Sequence, residues 1–168
     1  WLSQGRDVTQ AVLSPDGTRV ACVVRKVLKE QTDSDGRRTT VTTVTYRPGS
    51  ALIVLDINAH TTFDLTRAAN ASSVSWHREP VWSLDSSKLA VYHHQSGHAP
   101  KIDIHAFGPN RVIGRIDIPP DRGRSLLFWF SWLDSDRLLL IHDMTGVWVA
   151  DIGGASPRRI FPPKEVQR

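Results

Sequence analysis

One phrase returns three times along this chain and constrains its folding more than any other feature. It runs first as Ala11-Val12-Leu13-Ser14-Pro15-Asp16-Gly17-Thr18-Arg19-Val20-Ala21-Cys22-Val23. It returns as Val81-Trp82-Ser83-Leu84-Asp85-Ser86-Ser87-Lys88-Leu89-Ala90-Val91-Tyr92, and again as Phe130-Ser131-Trp132-Leu133-Asp134-Ser135-Asp136-Arg137-Leu138-Leu139-Leu140. Each copy is an apolar approach, an aspartate-centred turn, a basic residue and an apolar strand. A repeated unit of this kind cannot bury its apolar face alone, so neighbouring copies must stack. An Asp side chain can accept bonds from backbone N–H groups two residues on, and glycine supplies the permissive backbone. Asp16, Gly17, Asp85 and Asp134 are therefore the expected structural turn residues of the repeat.

The turn aspartates stand 69 and 49 residues apart. Repeats of roughly 40–50 residues, each with several short strands, suggest four-stranded propeller blades. The first interval is longer, and the excess falls in residues 26–50, which are polar, charged and Thr-rich. The centre of that stretch, Thr32-Asp33-Ser34-Asp35-Gly36-Arg37, signals a turn. Val27-Leu28 lies on one side and the alternating Thr39–Tyr46 on the other, a pattern rich in β-branched residues. The segment predicts an extended hairpin protruding from the first blade.

A second pattern follows each turn. Ala51–Asp56 precedes Thr61–Thr66, Lys101–His105 precedes Arg111–Ile116, and Gly146–Asp151 precedes Pro157–Phe161, with turn formers between the members of each pair. Each unit therefore reads as a four-strand meander, and the blades are expected at about residues 6–67, 72–118 and 124–163 of a single segment, 1–168. No stretch keeps apolar residues at helical spacing across three turns. Leu126–Trp132, after Gly123, reads as a buried strand rather than a helix. Trp76, Trp82, Trp132 and Trp148 are natural core residues between blades.

The phrases resemble the WD-like repeat of TolB-type β-propellers. The same repeat occurs in the propellers of prolyl oligopeptidase and dipeptidyl-peptidase-type serine peptidases. Leu13-Ser14-Pro15-Asp16-Gly17-Thr18-Arg19-Val20-Ala21 follows that pattern closely. The second copy keeps Trp82-Ser83, Asp85, Lys88 and Leu89-Ala90 but has Leu84 for Pro and Ser86 for Gly. The third keeps Trp132-Leu133-Asp134 and Arg137-Leu138-Leu139. The resemblance covers nearly the whole chain and implies an all-β propeller fold; it implies little about activity, because propellers host many functions.

Three blades do not close a ring of the usual four to eight. Either the chain is part of a longer propeller, or two copies pair into a six-bladed ring, or another domain or chain supplies the missing surface. The chain begins at Trp1 rather than Met, so either something has been removed upstream or this is an excised piece of a longer protein.

Composition narrows the function classes. Of 168 residues, 40% are hydrophobic, enough for a core. Lys and Arg number 21 against 17 Asp and Glu, a net charge of +4. The arginines are scattered through loops rather than set in a stripe with aromatic platforms, so nucleic acid is not an expected partner. No apolar run reaches the 18 or so residues of a membrane span. The lone cysteine, Cys22, permits no internal disulfide and reads as a small core residue. A soluble protein of the cytoplasm or periplasm is expected.

The chain has no Gly-x-Ser-x-Gly elbow and no glycine-rich phosphate loop. Asp33-Ser34-Asp35-Gly36 lacks the further ligands of a calcium loop, and Asn70-Ala71-Ser72 is a lone sequon. His93, His94, His98 and His105 cluster locally, but His93 and His94, adjacent in a strand, point to opposite faces, so a solvated strand end is expected instead of a zinc site. No catalytic residue, metal or cofactor is expected. The expected function is protein binding or scaffolding, with residues 26–50 as candidate contact region and Arg37, Arg38 and Tyr46 as its candidate contact residues. The alternative, implied by the resemblance, is the propeller portion of a serine peptidase, gating substrate to a catalytic domain outside this chain.

Overall fold

A computed structural model describes residues 6–34, 40–46, 49–66, 74–107, 111–118, 127–142, 146–154 and 156–161; beyond Arg25 in its second strand, and throughout the third, it describes backbone only. Thirteen strands and no helix are present among these residues. They form three antiparallel sheets, the blades of a partial propeller that does not close.

Blade 1 consists of β1 (Arg6–Leu13), β2 (Arg19–Ser34), β4 (Ala51–Asp56) and β5 (Thr61–Asp64), paired in that order. A fifth strand, β3 (Thr40–Tyr46), pairs with β2 off this path. Blade 2 is the meander β6 (Ser75–Trp82), β7 (Lys88–Gln95), β8 (Lys101–Ala106), β9 (Arg111–Asp117). Blade 3 is β10 (Leu127–Trp132), β11 (Arg137–His142), β12 (Gly146–Asp151), β13 (Arg158–Phe161). The 16-residue β2 serves two ladders. Arg19 to Val24 lies between β1 and β4, and Val27 to Ser34 pairs with β3.

The repeated turns share their chemistry. In the first, the Ser14 hydroxyl donates to Asp16 Oδ1 at 2.6 Å, and the Thr18 N–H donates to the same oxygen at 3.0 Å. The second repeats this with Ser83 on Asp85 at 2.6 Å and the Ser87 N–H at 3.0 Å. Gly17 has φ +72°, and Ser86 takes the same left-handed conformation at φ +59°, without the glycine that usually lowers its cost. The third turn is one residue shorter. The Leu133 N–H meets the Arg137 carbonyl at 2.9 Å, as Ser14 meets Arg19 and Ser83 meets Lys88, and Asp134 accepts from the Asp136 N–H at 3.0 Å.

Alternation along each strand sends one set of side chains to each neighbouring blade. Ala21, Val23, Leu52 and Val54 of blade 1 pack on Trp82, Leu89 and Val91 of blade 2. On the opposite face of blade 2, Ala90, Ile102, Ile104 and Ile116 pack on Phe130, Trp132, Leu138 and Leu140 of blade 3. Trp82 and Trp132 thus lie in the two seams, and Trp148 packs half-buried against the second. Trp76 does not join either seam core; its ring stacks on His94 at 5.5 Å. Cys22 is buried on the far side of blade 1 with Val24 and Ile53, and burial pushes its thiol pKa up.

At Gly114 of β9 the backbones of blades 2 and 3 approach closely. A Cβ there would stand 2.6 Å from the Ile152 carbonyl oxygen, whereas one on Gly153 would meet nothing within 4 Å. Gly114→Ala is therefore expected to destabilise by about 1–3 kcal/mol, the usual cost of overpacking. A urea titration should show its midpoint lowered and that of Gly153→Ala unmoved.

Candidate functional site

Among the described residues, a buried polar cluster lies on the blade 1 side of blade 2. His93 Nδ1 is 2.6 Å from Asp103 Oδ2, and Arg115 Nε reaches Asp103 Oδ1 at 3.2 Å. His77 stacks on His93 with ring centroids 4.6 Å apart. His77 Nδ1 lies 3.1 Å from the Ser50 carbonyl of blade 1, while its backbone N–H donates to the Ser50 hydroxyl at 2.6 Å. His105 completes the group, and all three histidines and Asp103 are buried.

A bulge explains how His77 arrives there. Between Arg78 and Val81 the β6–β7 register slips by one residue. Pro80 lies in the slip beside Glu79, which has φ +51°. Proline cannot donate to a ladder, and bulges re-aim the side chains beyond them. An unslipped strand would turn His77 to the other face.

The electrostatics follow from burial. His77 is lowered to about 4 by loss of hydration, with neighbouring His93 adding to the effect. His105 is lowered mainly by the same loss of hydration. Burial raises the Asp103 carboxyl, but the hydrogen bond and charge of His93, with Lys101 and Arg115, outweigh it and hold it below its ordinary range. A His–Asp pair orients an imidazole for base catalysis when its second nitrogen faces a nucleophile. Here His93 Nε2 is buried without a hydrogen-bond partner, and so is His105 Nε2. Among the described residues no three His, Cys, Asp or Glu side chains are set to hold a metal ion. The arrangement tethers blade 1 to blade 2, and among the described residues no nucleophile reaches its imidazoles.

On the opposite face of blade 2 a cleft of about 240 Å³ is lined by Trp76, Arg78, Tyr92 and His94. His93 and His94 do point to opposite faces, as alternation requires, and His98 is exposed in the following turn. The expectation of a solvated strand end is corrected for His93 and His105: the blade 1 seam covers that face, and Asp103 compensates the burial of His93. His77, Asp103 and Arg115 were not singled out from the sequence; Pro80 inside a strand pattern was the one signal of the bulge that turns His77 toward them.

Asp16, Gly17, Asp85 and Asp134 occupy the three turns described above, remote from this cluster in register. Hydrogen bonds from Ser14 and Thr18 hold Asp16 down to about 2, and those from Ser83 and Ser87 do the same for Asp85. Arg137, with Nε 2.7 Å from Asp134 Oδ2, lowers Asp134. Arg37 and Arg38 lie outside the described residues. The Tyr46 backbone pairs with Val27, and its side chain also lies outside them.

No protein-family model matches the chain, and no curated protein matches it. Solved structures do. A dipeptidyl aminopeptidase IV candidate from Bacteroides ovatus superposes with TM-score 0.62 at 11% identity, over 90% of this chain and 25% of that one. A puromycin-hydrolyzing peptidase of Mycobacterium tuberculosis superposes with TM-score 0.60 at 21% identity, over 95% of this chain and 24% of that one. TolB from Acinetobacter baumannii gives TM-score 0.42 at 12% identity, over 90% and 43%. The first two share the fold of this chain, which spans about a quarter of their length. Among the described residues no helix is long and apolar enough to cross a membrane.

The shifted groups set two acid windows. Unfolded histidines bind protons near 6.5 that folded His77 resists until about 4, so stability present above the unfolded value is lost as pH falls through that interval. Asp16 and Asp85 bind protons near 3.8 when unfolded and near 2 when folded, so a second loss runs between those values. Melting temperature against pH should show both declines, with His77→Gln flattening the upper one and Asp85→Asn the lower.

Proposed function

We propose that this chain acts as a non-catalytic protein-binding or scaffolding propeller segment. One observation carries the reading: the outer face of blade 3 presents exposed apolar side chains around a buried Val149. Trp129 is 46% exposed and Phe161 63%. Trp129, Ile141, Val147 and Phe161 lie in one cross-strand row. The corresponding faces of blades 1 and 2 are covered by the next blade, where Ala21, Val54, Ala90 and Ile104 are each 0% exposed. Contiguous apolar surface of this kind marks a contact site. The β2–β3 hairpin offers a second contact region, with Arg37, Arg38 and Tyr46 as its candidate residues.

A photo-crosslinking amino acid introduced at position 129 is expected to capture one discrete protein in extracts of the source cells, and Phe161→Asp should abolish the adduct. A diffuse pattern matching that from an exposed control position, Thr61, counts against the reading. The isolated chain should hydrolyse dipeptidyl nitroanilides no faster than buffer.

The superposition on two peptidases about four times longer favours a second reading, in which the chain is the propeller portion of a serine peptidase whose catalytic domain lies outside it. The encoded sequence on either side discriminates. A following α/β region with Ser, Asp and His in that order favours the peptidase.

A further inference from the structure

The cleft on blade 2 is built from two neighbouring cross-strand pairs, Trp76 beside His94 and Arg78 beside Tyr92. Alternation turns all four side chains to one face. The core of the seam with blade 3 reaches Tyr92, which packs against it, but not Trp76. The Trp76 and His94 rings lie nearly parallel, 21° apart in plane. The cleft therefore has three half-buried aromatic walls and one exposed guanidinium. Among the described residues the Trp76 indole N–H, the Arg78 guanidinium and the Tyr92 hydroxyl donate no hydrogen bond to protein. None of the four lining residues is a carboxylate. Glu79, next along the chain, has its N–H held by Gln10 of blade 1 at 2.7 Å, and burial pushes its carboxyl pKa up against the pull of Arg78.

We propose that this cleft binds a planar aromatic carboxylate, with its ring against Trp76, Tyr92 and His94 and its carboxylate on Arg78. Aromatic walls alone would equally suit a quaternary ammonium. Arg78 repels a cation and offers a carboxylate a forked, charge-assisted pair of bonds. The unused indole and phenol donors have the same preference for an acceptor. At about 240 Å³ the cleft falls below the roughly 300–1,000 Å³ of sites for larger ligands, which limits its occupant to about one ring system. The site shares no residue with the outer face of blade 3, so it stands apart from the contact surface proposed above.

Calorimetric titration of the full chain with 2-naphthoate tests this. One saturable site is expected, and 2-naphthamide, the uncharged isostere, should bind about tenfold more weakly, the factor that one charge-assisted hydrogen bond supplies. The Trp76 indole resonance in nitrogen-15 spectra should shift with the same midpoint. Arg78→Gln should erase the advantage of the acid while leaving the amide bound, and Trp76→Leu should weaken both severalfold. Arg111→Gln, at an exposed arginine of β9, should change neither. Trp76 and Arg78 lie outside both seam cores, so urea midpoints close to that of the parent chain will separate lost binding from lost folding. The peptide Gly-Gly-Trp with a free C-terminus distinguishes the sources of such a ligand. Binding tighter than that of 2-naphthoate assigns the cleft to peptide ends and weaker binding to free acids, and both uphold the proposed chemistry. Three results overturn it: no saturable binding at millimolar 2-naphthoate, acid and amide bound alike, or an equal loss at Arg111→Gln, which marks mere attraction to a chain of net charge +4.

Discussion

A sheet with two apolar faces cannot stand alone in water, and this chain is built around that constraint. At each of the two seams a blade buries one apolar face against its neighbour. The hydrophobic contribution is large but non-directional. Direction comes from the indoles of Trp82 and Trp132, whose hydrogen bonds to Val12 and Val81 fix how far one blade slides over its neighbour. The basic residues answer from the other side, Arg19 to Ser86 and Lys88 to Ser135. Packing sets the distance between blades, and directional bonds such as these contribute to their register.

The two seams solve the same problem with different chemistry. Between blades 2 and 3 the contact is aliphatic and aromatic, and Gly114 lets the backbone of Ile152 come close. Between blades 1 and 2, Leu89 and Val91 share their face with His77, His93, Asp103 and His105. Buried polar groups cost free energy unless they are paired, and in return they specify one arrangement. The Ser50–His77 bonds let blade 1 meet blade 2 in one alignment, where an oily surface alone would tolerate slippage.

Much of this was legible in the sequence. Ser14-Pro15-Asp16-Gly17 announced its turn through residue types whose side-chain bonds and backbone freedom act locally. The strand alternation announced the blades, and the Trp at the head of two repeats announced the seams. What stayed hidden depends on register. The slip at Glu79 and Pro80 turns His77 to the opposite face, and a one-residue change of this sort leaves no periodic trace. The His–Asp pair was hidden for the same reason, since His93 and Asp103 meet only once β7 and β8 are aligned. Trp76 looked like seam material by type, but its position beyond the slip sets it on His94 instead.

The length of β2 couples two parts of the molecule. One uninterrupted strand from Arg19 to Ser34 is the second strand of the blade 1 ladder and then one arm of the hairpin with β3. A register shift between Val27 and Lys29 marks where the hairpin ladder leaves the blade, within a single continuous strand. Whatever grips it pulls along the axis of a strand bonded on both sides by β1 and β4, so the load is shared in shear by a whole ladder instead of unzipping it one pair at a time.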